Sequence, residues 1–225
     1  MTHKLIDFSK VNGISHIPSA LSMLDYINIL FSEKYIIPFK DKIILGKPFG
    51  SQAYYLVWKE CEYLKDIENL SIGVKHIEIP FVDFSEETMG NALGVASGIA
   101  IAESDTIVYV NLSDASLQMG STLEAIAYIG ANQLKNIVVT VDYNQMQVTG
   151  KTDDIICIKP IINLFRDYDW QVIEVDGHDK NKLRLAFDSI HTRNKPTVYF
   201  CHTIKGKGVD YMESDPVSWH YKLLV

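Results

Sequence analysis

The apolar and polar positions of this chain change period repeatedly between that of a strand and that of a helix. Thr106 to Leu112 and Asn136 to Val141 are β-branched, near-continuous apolar runs that read as strands buried on both faces. Between them, over about Gly120 to Asn132, apolar residues recur with helical spacing, so the three segments form one βαβ unit. Upstream, Ser15 to Phe31 is an apolar-periodic helix that Ser19 or Ser22 is expected to cap. Asp41 to Leu45 is a short strand, followed by a helix that carries Leu56, Trp58 and Tyr63. Beyond Gly150 the pattern predicts a helix over Pro160 to Tyr168 and a strand over Trp170 to Val175. A helix over Lys180 to His191, with Asp179 as its N-cap, and a last strand over Thr197 to His202 complete the series. Met1 to Gly13 reads as a polar lead, and Tyr63 to Gly90 is irregular apart from a strand-like piece near His76 to Val82. Strands alternating with helices predict an α/β fold of three layers, a mainly parallel sheet with helices on both faces.

Composition narrows the possibilities. With 225 residues, 47% of them apolar, and no repeat, linker or low-complexity tract, a single domain over residues 1–225 is expected. A net charge of −7 and a pI near 5.5 argue against nucleic acid or an anionic membrane as the partner. Cys61, Cys157 and Cys201 lie far apart without C-x-x-C spacing, as reduced thiols do, and suggest neither a disulfide frame nor a zinc site. There is no N-terminal apolar h-region and no run of 18 apolar residues, so a cytoplasmic location is expected.

The βαβ unit also carries the candidate chemistry. In a parallel sheet the crossover is right-handed and ligands gather at the carboxyl ends of the strands, so Asp114 and Asn144 should reach one crevice. A carboxylate, an amide oxygen and a nearby backbone carbonyl are hard oxygen donors of the kind Mg²⁺ takes while leaving positions for phosphate oxygens. Taken singly, an Asp or Asn at a strand end is equally a cap or a turn former. Together they read as a metal and diphosphate site. His16, just before its helix, can face a site or simply solvent. The glycines and lysines of Thr203 to Val209 suit an anion-facing loop, and Lys47 lies between two glycines in another. Glu124, among apolar neighbours on its helix, is costly there unless it is paired or faces water.

The segment from Val141 to Gly150, VDYNQMQVTG, resembles the closing half of the thiamine diphosphate motif of the transketolase family, whose opening G-D-G is here Ser113-Asp114-Ala115. His16-Ile17-Pro18-Ser19-Ala20-Leu21-Ser22 is similar to that family's substrate-channel entrance, and Lys205-Gly206-Lys207-Gly208 with Trp219-His220 is similar to the end of its first module. The resemblance implies a thiamine diphosphate-binding fold in which Asp114, Asn144 and the Met146 carbonyl hold Mg²⁺, or another divalent cation such as Ca²⁺. It implies further cofactor contacts from Ser113, Ala115, Lys205 and the segment Thr88, Met89 and Gly90, and it makes His16 and His220 the catalytic candidates. Phe49 stands where the family has a histidine that touches the diphosphate, and Met119 replaces one of two interface glutamates, Glu124 matching the other.

In that family a glutamate on a second, pyrimidine-binding domain activates the cofactor. The chain ends at Val225, so a partner polypeptide, a C-terminal transketolase-like subunit in an α₂β₂ assembly, is expected to supply it. The implied activity is transfer of a two-carbon ketol unit, or a related acyl-anion equivalent, to an aldehyde or ketone. The altered residues leave room for specialised sugar or natural-product biosynthesis. The alternatives are the α-subunit type of a 2-oxo acid dehydrogenase or decarboxylase, and a scaffold that kept the fold without cofactor.

Overall fold

In a computed structural model of the chain, residues 1–65, 67, 73 and 78–224 are described. Six strands, β1 (Lys42–Leu45), β2 (Phe84–Ser85), β3 (Val108–Ser113), β4 (Ile137–Tyr143), β5 (Gln171–Asp176) and β6 (Thr197–His202), form one sheet. Its order is β2-β1-β3-β4-β6-β5, with every pairing parallel. Parallel pairing requires crossovers that cover both faces, which is why β4 is buried at all seven positions and is mostly apolar, with Thr140 and Asp142 its polar members.

Side chains alternate across the strands into two cores. On one face Ile43, Leu45, Tyr109, Val138, Tyr199 and Cys201 meet α1 (Thr2–Val11), α2 (Ile17–Ser32), α3 (Ser51–Glu60) and α8 (Lys180–Phe187). On the other, Ile44, Val108, Val110, Val139, Val141, Val198 and Phe200 meet α4 (Ala92–Ala102), α5 (Gly120–Ala131) and α7 (Lys159–Asp167). The short helices α6 (Thr152–Ile155) and α9 (Asp210–Ser214) lie in the loops after β4 and β6. Gly130 of α5 packs where a Cβ would fall 2.2 Å from the Tyr168 carbonyl oxygen, so the helix approaches the turn before β5 as only glycine permits. Among the described residues no helix is long and apolar enough to cross a membrane.

Several local expectations need correction. The polar lead is helix α1, anchored by the fully buried Leu5 with Ile6 and Phe8 partly buried beside it, too few apolar positions for a strong periodic signal. Neither Ser19 nor Ser22 caps α2. The chain enters that helix through His16 at φ 61°, and the Ser22 hydroxyl donates instead to the Ser19 carbonyl and to Asp142, 2.6 Å away. The region Lys180 to His191 is α8 followed by one 3₁₀ turn, with Asp179 capping as expected through the Asn181 and Lys182 amides. Of the strand-like piece near His76 to Val82, His76 lies outside the described residues and 78–82 form turns, while the sheet gains the two-residue β2 just beyond.

Candidate functional site

A cavity of about 470 Å³ opens at the carboxyl edge of the sheet, where the loops after β1, β2, β3, β4 and β6 converge with the start of α2 and the C-terminal tail. The loop after β1 contributes Lys47 and Phe49; β3 ends on Ser113, Asp114 and Ala115; the loop after β4 brings Asn144, Met146 and Gln147; and the loop after β6 brings Lys205. His16 enters from α2, and His220 with Tyr221 from the tail. His16 and His220 are joined through the backbone, the His16 N–H donating to the His220 carbonyl at 3.0 Å. Met89 reaches the same cavity from the loop after β2.

Thr88 and Gly90 do not line the cavity. Thr88 is exposed, and the Gly90 N–H donates to Glu86, whose buried carboxylate also takes the Asn91 and Ala92 amides at 2.7 and 2.8 Å. Glu86 thereby caps α4, and the first amides of that helix are committed to a protein anion. Gly90 lines a separate open concavity beside α4 and α5, together with Glu124 and Tyr128. Glu124 itself is exposed there, which resolves the cost of a carboxylate among apolar neighbours.

Beneath the cavity Asp142 is an electrostatic hub. Fully buried, it accepts from Ser22, from Thr203 at 2.5 Å, from Asn144 Nδ2 at 2.8 Å and from the buried Lys47 ammonium. Because a carboxylate only accepts, it fixes the Asn144 amide with Nδ2 toward itself, and Oδ1 takes the Met146 N–H at 2.9 Å. That leaves Oδ1 a second lone pair. Asp142 and Lys47 lie 95 residues apart in sequence, and no local pattern announces the pair.

Asp114, 1% exposed, differs from Asp142 in having no ion pair among the described residues. Among the described residues it accepts from the Ala115 N–H and the Thr152 hydroxyl, each at 2.8 Å. Burial pushes its carboxyl up to about 6, with the Thr152 hydrogen bond opposing and Asp142 reinforcing the shift. Lys205 is the counterpart cation. Among the described residues its ammonium donates to the Met146 and Gln147 carbonyls, at 3.4 and 3.2 Å, and burial together with Lys47 lowers it to about 8.

The two histidines are neutral. Burial, with Lys205 and Lys47 nearby, lowers His16 to about 4, and burial with Lys205, His16 and Lys47 lowers His220 to about 3. His16 stacks on Phe49 at 5.1 Å and meets His220 and Tyr221 edge-on at 4.6 and 5.0 Å. His16 Nδ1 is engaged by the Ser15 hydroxyl at 2.9 Å, whereas His220 Nδ1 is buried without a partner, as is Gln147 Nε2. Sequence reading set Lys47 in an anion-facing loop without its ion pair to Asp142, and left Thr152 and Tyr221 out of the site. Tyr221 is signalled only by adjacency to His220, and Thr152 by nothing local.

The chemistry of the donor set fits a metal and an anion together. Among the described residues no group of three or more His, Cys, Asp or Glu side chains could hold a metal ion, so a protein-only cage is absent. One carboxylate, one amide oxygen and one carbonyl instead suit a hard cation that completes its shell with a ligand's oxygens. Two buried ammonium groups line the cavity with His220 and Gln147, each of which has a buried polar atom without a hydrogen-bond partner among the described residues, and this lining suits an anionic, hydrogen-bonding ligand.

Fold and site together define a three-layer parallel α/β protein with its candidate site at the carboxyl ends of the strands, where ligands gather in such sheets. Its sequence matches the transketolase, thiamine diphosphate binding domain over residues 90–218, and the chain belongs to the transketolase family. An apulose-4-phosphate transketolase subunit of Actinobacillus succinogenes is 30% identical over 83% of this chain and 72% of its own. The 6-deoxy-6-sulfo-D-fructose transketolase subunit SqwG of Clostridium sp. is 25% identical over 94% and 84%. The crystal structure of transketolase from Campylobacter jejuni superposes with a TM-score of 0.80 at 19% identity, over 97% of this chain and 39% of that one. The fold is therefore shared, and the chain spans about two fifths of that transketolase. These relatives favour the transketolase reading over the 2-oxo acid dehydrogenase alternative.

Proposed function

We propose that this chain is the single-domain, diphosphate-binding subunit of a two-component, thiamine diphosphate-dependent transketolase-like transferase. The observation that carries the reading is the meeting, in one cavity, of Asp114, a buried carboxylate without a counter-ion among the described residues, and two buried ammonium groups, Lys47 and Lys205. Asp114, the Asn144 amide oxygen and the Met146 carbonyl would hold Mg²⁺, and Lys205 would meet the diphosphate beside Ser113, Ala115 and Met89. When bound, thiamine diphosphate supplies the nucleophilic carbon that breaks and remakes a carbon–carbon bond beside a carbonyl.

This chain's own residues bind and orient. The hub at Asp142 fixes Asn144 and Lys47, which supports a preorganised site. His220, a neutral ring lining the cavity, would exchange a hydrogen bond with a substrate oxygen, with His16, whose Nδ1 is taken by Ser15, beside it. Phe49 stacks on the His16 ring and covers one of its faces. The substrates are a ketose-type donor of a two-carbon unit and an aldehyde or ketone acceptor in specialised sugar metabolism, a reading supported by relatives named for apulose-4-phosphate and 6-deoxy-6-sulfo-D-fructose.

The activating glutamate comes from a partner polypeptide with a pyrimidine-binding domain, most simply in an α₂β₂ assembly. Subunit naming among the relatives supports a partner, and three unpaired cysteines support a cytoplasmic setting. Co-expression with the pyrimidine-domain polypeptide of the neighbouring gene, followed by two-carbon transfer assays over a panel of keto donors, tests the proposal. Turnover should require both chains, Mg²⁺ and thiamine diphosphate. Turnover by either chain alone, or none with any donor, overturns it.

A further inference from the structure

The loop after β6 carries Lys205 into the cavity, and contacts outside regular pairing hold it there. The Thr203 hydroxyl donates to Asp142, the Gly206 N–H reaches the Pro18 carbonyl at 3.0 Å, and the Ile204 N–H donates to His178 Nε2 at 2.9 Å. His178 belongs to the turn Asp176-Gly177-His178-Asp179 after β5, which the site described above leaves without a role. Its other ring nitrogen, Nδ1, lies 2.9 Å from the carboxylate of Asp25 on α2. The His178 side chain is only 12% exposed.

The neighbours fix the state of this ring. A backbone N–H can only donate, so Nε2 is unprotonated; a carboxylate can only accept, so Nδ1 carries the hydrogen. The relay from Asp25 through His178 to Ile204 thus links α2, the helix that presents His16 and Ser22, to the residue just before Lys205. Gly177 brings the turn directly against the loop, since a Cβ there would lie 2.4 Å from Thr203 Cγ2. We propose that His178 is a positioning residue for the cofactor site, holding the Ile204 amide, and through it Lys205, where an anionic ligand is met. The identity of that ligand rests on the function proposed above; the tie between His178 and the loop does not.

Three variants separate the two contacts of the ring. His178→Asn keeps a donor where Nδ1 stands and leaves Ile204 without an acceptor, His178→Gln extends an amide oxygen toward the place of Nε2, and His178→Ala removes both. Hydrogen exchange on the full chain without cofactor reads the Ile204 to Gly206 amides. Exchange at Ile204 should quicken about fivefold in the Asn and Ala variants, the change worth one net hydrogen bond, and stay within about twofold of wild type in the Gln variant. Calorimetry of thiamine diphosphate with Mg²⁺ on the complex with its partner should show the same order, with Kd raised about fivefold by Asn and Ala and restored by Gln. Wild-type exchange in His178→Asn, or equal acceleration in Gln and Ala, overturns the positioning role. If the wild-type complex binds no cofactor, the proposed function falls while the exchange comparison still decides what His178 holds.

Discussion

Asp114→Asn should make the cofactor-free protein more stable while removing the carboxylate proposed to hold the metal. The substitution keeps the shape and can keep both hydrogen bonds, since Oδ1 still accepts from the Ala115 N–H and Nδ2 can donate to the freely rotating Thr152 hydroxyl. What disappears is a buried charge. The carboxyl is held at about 6 against an ordinary 3.8, so the folded state binds more protons than the unfolded one between those values. Stability therefore falls as pH rises through that window, and above about 6 the ionised group costs about 3 kcal/mol relative to its protonated form. Urea denaturation across pH should find Asp114→Asn more stable than wild type by about 1 to 3 kcal/mol at about pH 7.5, with the gap closing toward about pH 4. Mg²⁺ with thiamine diphosphate should raise the wild-type midpoint and leave the variant unmoved. A variant less stable near neutral pH, or a gap independent of pH, refutes the reasoning. Such a gain is the expected counterpart of a functional group held in an unfavourable place.

Cofactor affinity should peak between about pH 6 and 8, because protons compete for Asp114 below that window and Lys205 loses its charge above it; a flat calorimetric profile from about pH 5 to 9.5 counts against both assignments. Lys47→Met strips the buried Asp142 of its cation and should cost about 3 to 5 kcal/mol in chemical denaturation, whereas a loss below about 1 kcal/mol would mean the hydroxyl and amide donors suffice. Gly130→Ala pushes a methyl against the Tyr168 carbonyl and should destabilise by about 1 to 3 kcal/mol, measured beside Gly94→Ala. The latter meets nothing within 4 Å and should be neutral or slightly stabilising in the isolated chain.

What could be read from the sequence follows the range of the forces involved. Strands β3 and β4 were legible because burial on both faces demands near-continuous apolar runs, and α5 because its stripe repeats over three turns. Helix α1 was not, since only Leu5 and Ser9 of its ten residues are fully buried, with Ile6 and Phe8 partly so. Asp114 and Asn144 could be placed together from topology alone, both standing at carboxyl ends of adjacent parallel strands. The contacts that tune them could not. Thr152, Lys47 and Ser22 reach their carboxylates across 38, 95 and 120 residues of chain, and hydroxyls that resemble helix caps serve the hub instead. Thr88 and Gly90 were drawn toward the cavity by motif position, yet Glu86 claims the Gly90 amide for α4.

Whether this chain holds thiamine diphosphate through Asp114 and Asn144 is decided by calorimetric titration of the cofactor with Mg²⁺ into the chain, alone and co-purified with the pyrimidine-domain polypeptide. Mg²⁺-dependent binding should appear or tighten with the partner and vanish in Asp114→Ala and Asn144→Ala variants that still fold. Absence of binding in both preparations, or wild-type affinity in the two variants, would contradict the assignment.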